Sequence, residues 1–495
     1  MKQITFTDYL ERFYNEFWRE QNKSTNAFAP EEGLKRIERK ILFAAYDIKM
    51  AVDREEMTRK LASAAAVFHV AGDASIQDTV RSMGDPQRRP PECTFLNLVG
   101  NALAAARYTH VTLSPLGKKV CDEIPFMNWE KDEDDSGVEQ VSTIALPLPI
   151  ALVRGFTGIG VGRACCIPEY PHDEMFEWVR KCVDAVYPDS SGSGFNKEFV
   201  KRATEKKCLK PEDIRSLDVS DLVNKYYPDI PTSTYAELDK DVPEPYDRTG
   251  CLTRWDENKK FLYYKARMEN IPELGRDIVT ALPPRVSAKV VIAKARKKFG
   301  DKVANSIIDM SGKGYPIALK LPRVIAKDES CWGALSMKSG ITRAITIWDD
   351  EIDTVHIIKY LSPIAIKWYN IREQLVVKKY YHKIASKNRQ IYNNNLIVEY
   401  YKYSQAGKIK TEADVQKLFP EDYAYLWGLP EKTYIKENID KIKDKNKKLE
   451  EEIAESNNKI LNVKETVFEE WKEIADENVK FFKAEPSSRN TIQKL

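Results

Sequence analysis

The pair Arg107-Tyr108 combines two side chains that could do covalent chemistry on a phosphate. A tyrosine phenol has an ordinary pKa of about 10, so it needs help to attack at neutral pH. A neighbouring cation supplies such help, and the guanidinium of Arg107 can also clamp a phosphate oxygen through a forked contact. The alternative is a strand tyrosine that packs against a helix. The pair alone leaves both interpretations open.

A basic run, GLKRIERK from Gly33 to Lys40, precedes this pair. Lys35, Arg39 and Lys40 fall in one predicted helix and could contact the phosphates of a nucleic acid. The stretch from Gly33 to Lys119 holds 14 Lys/Arg and 9 Asp/Glu, whereas the whole chain carries a net charge of only +3. A local basic excess suits a polyanionic partner, although a solvated basic face explains it equally well.

Metal chemistry has little support in the sequence. The acidic run Glu130 to Asp135 is unspaced and is typical of a solvated loop. The five histidines are scattered, none of the eight cysteines forms a CxxC pair, and adjacent Cys165 and Cys166 would not make an ordinary disulfide or a zinc site. We therefore predict no metal ligands in this chain.

Hydrophobic periodicity predicts the elements that carry these residues. Helices are predicted for Phe6–Arg19, Gly33–Met50, Glu55–Val67 and Ala74–Met83. The last three are consistent with a helix-turn-helix, and Phe95–Leu113 could form the wing that follows it. The stretch Ile144–Ile167 is apolar, and its four glycines between Gly155 and Gly162 indicate tight turns and close backbone approach.

The rest of the chain changes character twice. From about Pro168 to Ile347 the pattern is mixed, with strand-like runs at Lys289–Ile292 and Tyr315–Leu321. From Glu351 to Tyr403 and again from Ile435 to Val463 it is helical. The second of these has coiled-coil spacing with a polar Asn446 at a core position, a common register-fixing device. Two long helices around the compact segment Ser404–Pro430 predict an antiparallel arm with a knob.

The bulk properties are those of a globular protein. The chain has 495 residues, of which 42% are hydrophobic and 31% charged, enough for several domains. Met1 to Glu20 has no apolar signal-peptide core, and no apolar run is long enough to cross a bilayer. We therefore expect a cytoplasmic protein with no membrane partner.

Four segments, in order, resemble the breakage-reunion subunit of type IIA DNA topoisomerases. The matching segments are Gly33-Leu34-Lys35 with Arg39 to Leu42; His69 with Gly72-Asp73 and Asp78-Thr79; Ala105 to Thr109; and Leu146-Pro147 with Leu152-Val153, Gly155, Gly158-Ile159, Gly162 and Ile167-Pro168. Each segment alone is weakly specific. Their order and separations make the resemblance strong up to about Pro168.

The resemblance implies an α+β, multidomain fold. Residues 1–165 would form a winged-helix breakage-reunion domain and residues 166–347 an α/β tower domain. Residues 348–463 would form a long antiparallel coiled-coil arm with a C-gate dimer knob at about 404–430. Residues 464–495 would form a return helix and a tail.

The resemblance also implies an activity and its residues. Tyr108 would attack a DNA phosphate and form a transient 5'-phosphotyrosine double-strand break, through which another duplex passes. Arg107 and His69 would support the reaction. The expected DNA-binding residues are Lys35, Arg36, Arg39, Lys40 and Ile159. In the family the isoleucine matching Ile159 wedges between base pairs and bends the DNA.

The implied partners are double-stranded DNA, a second copy of the chain at the C-gate, and a separate ATPase/Toprim subunit. Mg²⁺ and ATP are both expected on that subunit, because we find neither the ATPase motif nor the acidic metal-binding motifs of the family here. The short, split form is closest in extent to the medium subunit of T-even-like phage topoisomerases. We expect no DNA-wrapping β-propeller after the arm.

Two departures from the family pattern change what is expected. The second histidine of the family motif is Ala71 here, which affects the support of the active site. The proline of the first motif is Arg36 here, which adds a charge where DNA is expected.

Two other classes of protein are consistent with part of the pattern. A non-catalytic helix-turn-helix DNA-binding scaffold with a coiled-coil dimer would form no covalent DNA adduct. A tyrosine recombinase would need an Arg, an HxxR motif and a tyrosine near the C-terminus, whereas Tyr108 is far from that end and no HxxR is present.

Overall fold

The structure is a computed structural model. It describes residues 5–25, 27–69, 72–85, 89–99, 105–131, 137–160, 164–247, 249–284, 286–310, 317–349 and 354–484. Contacts divide the chain into two compact units. Unit 1 contains Met1–Val186, Asp229–Arg372 and Glu469–Leu495, and unit 2 contains Tyr187–Pro228 and Glu373–Phe468. The four domains expected from the resemblance stay a prediction.

The first part of unit 1 combines helices with short strands. The helices are α1 (Phe6–Thr25), α2 (Arg36–Asp47), α3 (Thr58–Ala65), α4 (Asp73–Met83), α5 (Pro115–Glu123), α6 (Ile150–Val153) and α7 (His172–Val186). The strands are β1 (Glu56–Met57), β2 (Leu96–Val99), β3 (His110–Leu113), β4 (Trp129–Lys131), β5 (Glu139–Val141), β6 (Phe156–Ile159) and β7 (Ala164–Ile167). The four helices predicted before residue 90 are confirmed, with their ends shifted.

Helices α2, α3 and α4 pack together beside a small antiparallel sheet whose strand order is β1-β3-β2. In this sheet β2 and β3 pair along their full lengths, from Leu96 opposite Leu113 to Val99 opposite His110. The apolar faces of these elements meet in one core, where Ile41, Leu61 and Val80 are fully buried. Burial of this kind contributes roughly 2 kcal/mol per large side chain and holds the helices on the sheet.

Two glycines allow the chain to approach itself closely at the ends of α2 and β6. Gly33 has a φ of +72°, and a Cβ there would lie 2.8 Å from the backbone nitrogen of Ala151. Gly155 also has a φ of +72°, and its Cβ would lie 2.7 Å from the carbonyl oxygen of Ile167. Any other residue at either position would be strained and would clash with backbone. The tight turn expected at Gly155 is therefore present, whereas Gly33, expected at the start of a helix, lies before α2 in a left-handed backbone conformation.

The middle of the chain holds more helices and strands. The helices are α8 (Phe195–Glu205), α9 (Pro211–Arg215), α10 (Ser220–Tyr226), α11 (Thr232–Leu238), α12 (Ala288–Phe299), α13 (Asp301–Ala304) and α14 (Arg323–Ala326). The strands are β8 (Leu252–Asp256), β9 (Phe261–Lys265), β10 (Arg267–Ile271), β11 (Gly275–Ala281), β12 (Ile308–Asp309), β13 (Leu319–Lys320), β14 (Lys338–Thr342), β15 (Ile345–Asp349) and β16 (Thr354–Ile358). Two antiparallel sheets, ordered β10-β11-β13-β12 and β14-β9-β8, confirm mixed α and β structure.

The strand predicted at Lys289–Ile292 is wrong, because these residues lie in helix α12. The Ser287 side chain caps that helix by accepting from the Val290 N–H, and Val291 and Ala295 bury one helical face. Capping and burial outweigh the β-preference of the local Val-Val-Ile run. The other strand-like run, Tyr315–Leu321, is a strand only at β13 within its described part.

The last part of the chain is helical, with α15 (Ser362–Gln405), α16 (Glu412–Leu418), α17 (Tyr423–Trp427), α18 (Lys436–Leu461) and α19 (Val463–Lys483). The sequence pattern predicts a helix from Glu351 onwards. The helix begins at Ser362 instead, since Thr354–Ile358 pairs with β15 as a hairpin. The β-branched and aromatic content of both segments favours that pairing.

Within unit 2, α15 and α18 run antiparallel. The Asn394 side chain donates to Asn446 at 2.6 Å, and Asn446 donates to Asn395 at 2.9 Å. Lys387 forms an ion pair with Glu452 at 2.7 Å. Lys387 comes before Asn394 on α15, whereas Glu452 comes after Asn446 on α18, so the two helices run in opposite directions. The polar position predicted at Asn446 is thus satisfied by two amides of the facing helix. Supercoiling of the pair stays a prediction.

Candidate functional site

Tyr108 lies in a single 3₁₀ turn, Ala106–Tyr108, that directly precedes β3. Its side chain is 65% exposed, and its backbone N–H donates to the Ala105 carbonyl at 2.8 Å. The residues on either side of the Arg107-Tyr108 pair, Ala106 and Thr109, are buried. The turn is therefore anchored at both ends while the phenol points to solvent, where a large substrate can reach it.

A buried pair of threonines fixes this turn to helix α3. The Thr109 hydroxyl donates to the Thr58 hydroxyl at 2.8 Å, and the Thr58 N–H donates to the Thr109 carbonyl at 3.0 Å. Thr58 is the first residue of α3, and β3 is the central strand of its sheet. The position of Tyr108 is consequently set by the helix and the sheet together, and a rigid support of this kind suits a nucleophile.

The guanidinium of Arg107 lies over the ring of Tyr108, 4.8 Å from its centroid. The contact is a cation–π pair on an exposed surface, worth about 0.5–1 kcal/mol. Such a weak contact can be exchanged for a phosphate, which Arg binds more strongly through charge-assisted hydrogen bonds. The two residues predicted to act on one phosphate are therefore adjacent in space as well as in sequence.

Three cations predicted to bind DNA are partly exposed at the start of α2. Lys35 precedes the helix, and its ammonium lies 5.8 Å from the centre of the Phe156 ring. Arg36 is 3.9 Å from Glu20, and Arg39 is 3.6 Å from Glu32. All three keep side-chain surface that could contact phosphates.

Lys40 is placed differently from the other cations, because it is buried with only 2% of its surface exposed. A phosphate contact would require its side chain to leave the core.

Glu38 forms a buried ion cluster that was not predicted from the sequence. Its carboxylate accepts from Arg89 at 2.8 Å and from Arg154 at 3.0 Å, and it also accepts from the Lys35 backbone N–H at 3.1 Å. Burial alone would raise the pKa of Glu38, but Arg154 and Arg89 hold it well below its ordinary value. The cluster ties α2 to the residue before Gly155 and β6. The sequence signal that could have predicted this cluster is a glutamate inside a basic run at the start of a helix.

An open cavity of about 340 Å³ lies beside this cluster in unit 1. Lys35, Arg89, Arg154 and Phe156 line one part of it, and Glu169 and Asp247 line another. Charges of both signs therefore face the cavity. It adjoins the base of the β6–β7 hairpin, so it belongs to the same surface as the basic residues of α2.

Ile159 ends strand β6 and is 65% exposed. It pairs with Ala164 across the β6–β7 hairpin, whose tip at residues 161–163 lies outside the described residues. Along β6 the side chains alternate between buried and exposed, and Ile159 is on the exposed side. A core role, the alternative for an isoleucine in this apolar stretch, does not fit that exposure.

His69 is half-buried and lies past the C-terminal end of α3, whereas Tyr108 is anchored at the N-terminal end of that helix. The length of α3 and its following turn separates them by on the order of 15 Å along the helix axis. The structure therefore does not bring His69 to Tyr108 within one chain. Ala71, the departure from the family motif, lies outside the described residues.

A second basic surface was missed by the sequence reasoning, which counted charges only near the N-terminus. From Arg285 to Arg343 the chain has 13 Lys/Arg and 4 Asp/Glu. On α12 the side chains of Lys289, Lys294 and Lys297 are exposed on the outside of the helix. A charge count over successive windows would have found this segment.

In the described part of the chain, no group of three or more His, Cys, Asp or Glu residues could hold a metal ion. All eight cysteines lie in the described ranges, and each is buried with a free thiol. Among the described helices, none is long and apolar enough to cross a membrane.

The chain is similar to known proteins over the region that carries these residues. Residues 30–190 match the family model that describes the A subunit of DNA gyrase/topoisomerase IV. Every residue predicted to act on DNA, from Lys35 to Ile159, lies inside that segment.

Individual relatives agree with the family match. The chain is 31% identical over 174 residues to the DNA gyrase A protein of Mycolicibacterium smegmatis, which covers 33% of this chain and 20% of that protein. It is 32% identical over 168 residues to the gyrase A protein of Mycobacterium tuberculosis H37Rv, or 32% of this chain and 19% of that protein. A longer match, 24% identical over 338 residues, is to the gyrase A protein of Mycoplasma pneumoniae and covers 66% of this chain and 36% of that protein. The chain therefore matches between about a fifth and a third of the length of these relatives.

Proposed function

We propose that this chain is the DNA-cleaving and resealing subunit of a type IIA DNA topoisomerase, with Tyr108 as its nucleophile. The observation that carries the proposal is the exposed Tyr108 on an anchored turn, with Arg107 over its ring, inside the segment that matches the gyrase and topoisomerase IV family. Two copies would cut both strands of one duplex, let another duplex pass, and reseal the cut.

The reaction is a transesterification. The Tyr108 Oη forms a bond to a DNA phosphorus, the bond from that phosphorus to the 3' oxygen breaks, and the phenolic proton ends on the released 3' hydroxyl. The product is a 5'-phosphotyrosine, so resealing is the reverse step and needs no outside energy. Arg107 would exchange the Tyr108 ring for a phosphate oxygen and offset the charge of the transition state.

The remaining residues of the surface would position the DNA. Lys35, Arg36 and Arg39 would contact phosphates, which fixes register without reading sequence. Ile159 would insert between base pairs at the end of its hairpin and bend the duplex. His69 would act at a distance from Tyr108 of the same chain, in support of the bound DNA. The exposed cations of α12 suit a further stretch of the same duplex.

The architecture expected of the family has structural support in each part. Helices α2–α4 with the β1-β3-β2 sheet would be the winged helix, and the sheets around α12 would be the tower. Helices α15 and α18 would be the arm. The knob between them exposes Leu418, Tyr425 and Trp427, which would form the C-gate contact with a second copy.

Strand passage needs ATP and Mg²⁺, and we place both on a separate ATPase/Toprim subunit. The described residues offer no cluster that fits a metal ion, so no step of the chemistry above is assigned to one. We further propose that the enzyme is of the phage type and acts in the cytoplasm of a bacterial host, where it relaxes or decatenates DNA.

The test is a strand-passage assay. The chain is mixed with its candidate ATPase subunit, supercoiled plasmid, Mg²⁺ and ATP, and the linking number should change in steps of two. The chain alone should form a dimer that binds DNA and cleaves it poorly. A non-catalytic scaffold would bind DNA but would leave no protein attached to it after denaturation, whatever partner is added.

A further inference from the structure

Glu32 is a buried carboxylic acid in the loop that leads into α2. It is 3% exposed, and its Oε1 atom has no hydrogen-bond partner. A carboxylate loses most of its hydration at such a site, which strongly disfavours the charged form unless the protein replaces the lost interactions. Glu32 therefore needs a compensating charge or a proton.

The groups that face Glu32 only partly supply this compensation. Two groups on α2 face Glu32: Arg39 stabilises its charged form and Glu38 destabilises it. Glu31, in the same loop, also destabilises the charged form. The backbone N–H of Ile144, in the segment before α6, donates a hydrogen bond to Glu32 and stabilises the charged form. Burial is the largest influence and raises the pKa of Glu32 to about 7, with Arg39 opposing it. Arg39 is thus the largest influence that keeps this side chain charged.

Arg39 holds Glu32 only loosely. The distance from its Nη1 to the Glu32 Oε2 is 3.6 Å, which is an ion pair but too long for a hydrogen bond. The Arg39 side chain is 22% exposed, whereas the Glu32 side chain is only 3% exposed. A phosphate arriving from solvent can therefore reach the guanidinium from the outside, in competition with the buried carboxylate.

We propose that Glu32 is the internal counter-ion of Arg39, and that DNA binding transfers Arg39 to a backbone phosphate while Glu32 takes up one proton from solvent. The inference rests on the proposed function, because it assumes that α2 binds DNA phosphates. Once Arg39 is engaged outside, the Ile144 N–H is left to oppose burial and the two neighbouring carboxylates, and the neutral form of Glu32 is favoured. One proton then enters the site for each chain that binds.

The sign of the effect follows from this coupling. In the free protein Glu32 is largely ionised above pH 7, and in the complex it is protonated. Binding therefore takes up a proton in that range, and DNA affinity falls as pH rises, by at most about tenfold per pH unit. Removing the ionisable group should tighten binding at pH 8 and abolish this part of the dependence.

The experiment is calorimetric titration of a short DNA duplex into the full chain at pH 7.5, in buffers of different ionisation enthalpy. The variation of heat with buffer gives the number of protons taken up. Wild type should take up most of one proton per chain more than Glu32→Gln. Histidines contribute equally to both proteins, so their protons cancel in the difference. Glu31→Gln removes a neighbouring carboxylate but keeps the group that titrates, so it should still take up more protons than Glu32→Gln.

A second variant guards against a folding defect in Glu32→Gln. In Arg39→Gln, Glu32 should already be largely neutral at pH 7.5, so the extra proton uptake should also be lost, now with weaker binding. Equal proton uptake in wild type and both variants, with DNA bound, would overturn the inference and leave the proposed function standing. Absence of DNA binding by wild type would overturn both.

Discussion

The nucleophile is the residue on which the proposed activity depends, and its exposed position makes a clean test. Tyr108→Phe removes one hydroxyl from a solvent-facing ring, so the free energy of unfolding should change by less than about 0.5 kcal/mol. Covalent protein–DNA complexes trapped with denaturant should disappear, whereas the Kd for duplex DNA should stay within about twofold of wild type, because phosphate contacts supply most of the affinity.

Tyr14→Phe, at an exposed tyrosine of α1, is the matched control and should cleave normally in the presence of the partner subunit. Trapped complexes in Tyr108→Phe would exclude Tyr108 as the nucleophile.

Ile159 allows a test at the residue scale that separates bending from binding. Insertion costs a few kcal/mol of base unstacking, offset by contacts that only bent DNA can make. We expect Ile159→Ala to reduce bending and cleavage strongly and DNA affinity only modestly. Since the side chain is exposed, the melting temperature of the variant should equal that of wild type. Truncation of a core isoleucine would instead lower the free energy of unfolding by about 2–5 kcal/mol.

Energy transfer between the ends of a labelled duplex measures the bend. Ile357→Ala removes an equally exposed isoleucine from β16 and should leave bending at the wild-type level. If bending by Ile159→Ala is also unchanged, the hairpin contacts DNA in another way.

At the scale of elements, the Glu38 cluster decides how the basic helix and the hairpin are held together. Arg89 and Arg154 share one buried carboxylate, so Glu38→Gln leaves two guanidinium groups without a counter-charge. Removing one partner of such a cluster typically costs about 3–5 kcal/mol of unfolding free energy. Chemical denaturation measures the free energy of unfolding of Glu38→Gln, Arg154→Gln and the double variant. The loss in the double variant should be well below the sum of the two single losses.

The same cluster predicts an acid dependence. The folded-state pKa of Glu38 is depressed, so its stabilisation is fully present above its ordinary value of 4.5 and is lost as pH falls below that value. The unfolding free energy of Glu38→Gln should therefore depend less on pH below 4.5 than that of wild type. Parallel acid profiles for the two proteins would show that the carboxylate is not charged in the fold.

Elements also show where pattern reading succeeds and fails. Helices α2–α4 were predictable because their apolar residues recur at helical spacing and bury against one core. Helix α12 was not, because its Val-Val-Ile run has the local preference of a strand. Its capping serine and the buried face of Val291 and Ala295 depend on the neighbouring elements, which a local pattern does not contain.

For the whole molecule, the knob between α15 and α18 carries the prediction of a dimer. Its core is formed by residues of both long helices and of the knob, including Leu396, Phe419 and Ile439, while Trp427 and Tyr425 remain exposed. Exposed aromatic residues on a compact knob suit a self-complementary contact between two copies.

Trp427→Ala should weaken the dimer by at least about tenfold in Kd, since aromatic anchors typically contribute about 2 kcal/mol or more to an interface. Analytical ultracentrifugation across a dilution series measures it, and Leu461→Ala, an exposed apolar residue at the far end of α18, is the control. A Trp427→Ala dimer as tight as wild type would move the interface elsewhere.

Some properties of this protein could be derived from the amino-acid sequence because they depend on local order along the chain. The helices before residue 90, the antiparallel long helices with a polar position at Asn446, and the tight turn at Gly155 all follow from periodicity, spacing and residue type. The candidates Arg107 and Tyr108 are neighbours in sequence, so their proximity required no fold. The family resemblance likewise rests on ordered motifs.

Other properties were decided by tertiary structure, because they depend on which distant segments exclude water from a side chain. Lys35, Arg39 and Lys40 look alike in the sequence, but packing buries Lys40 and leaves the other two partly exposed. Glu32, in the loop before α2, and Glu38, in the first turn of α2, are both buried glutamates. Glu38 forms ion pairs with Arg89 and Arg154, whereas Glu32 forms one long ion pair with Arg39. Burial gives each carboxylate a different charge balance, and that balance is a property of the folded chain alone.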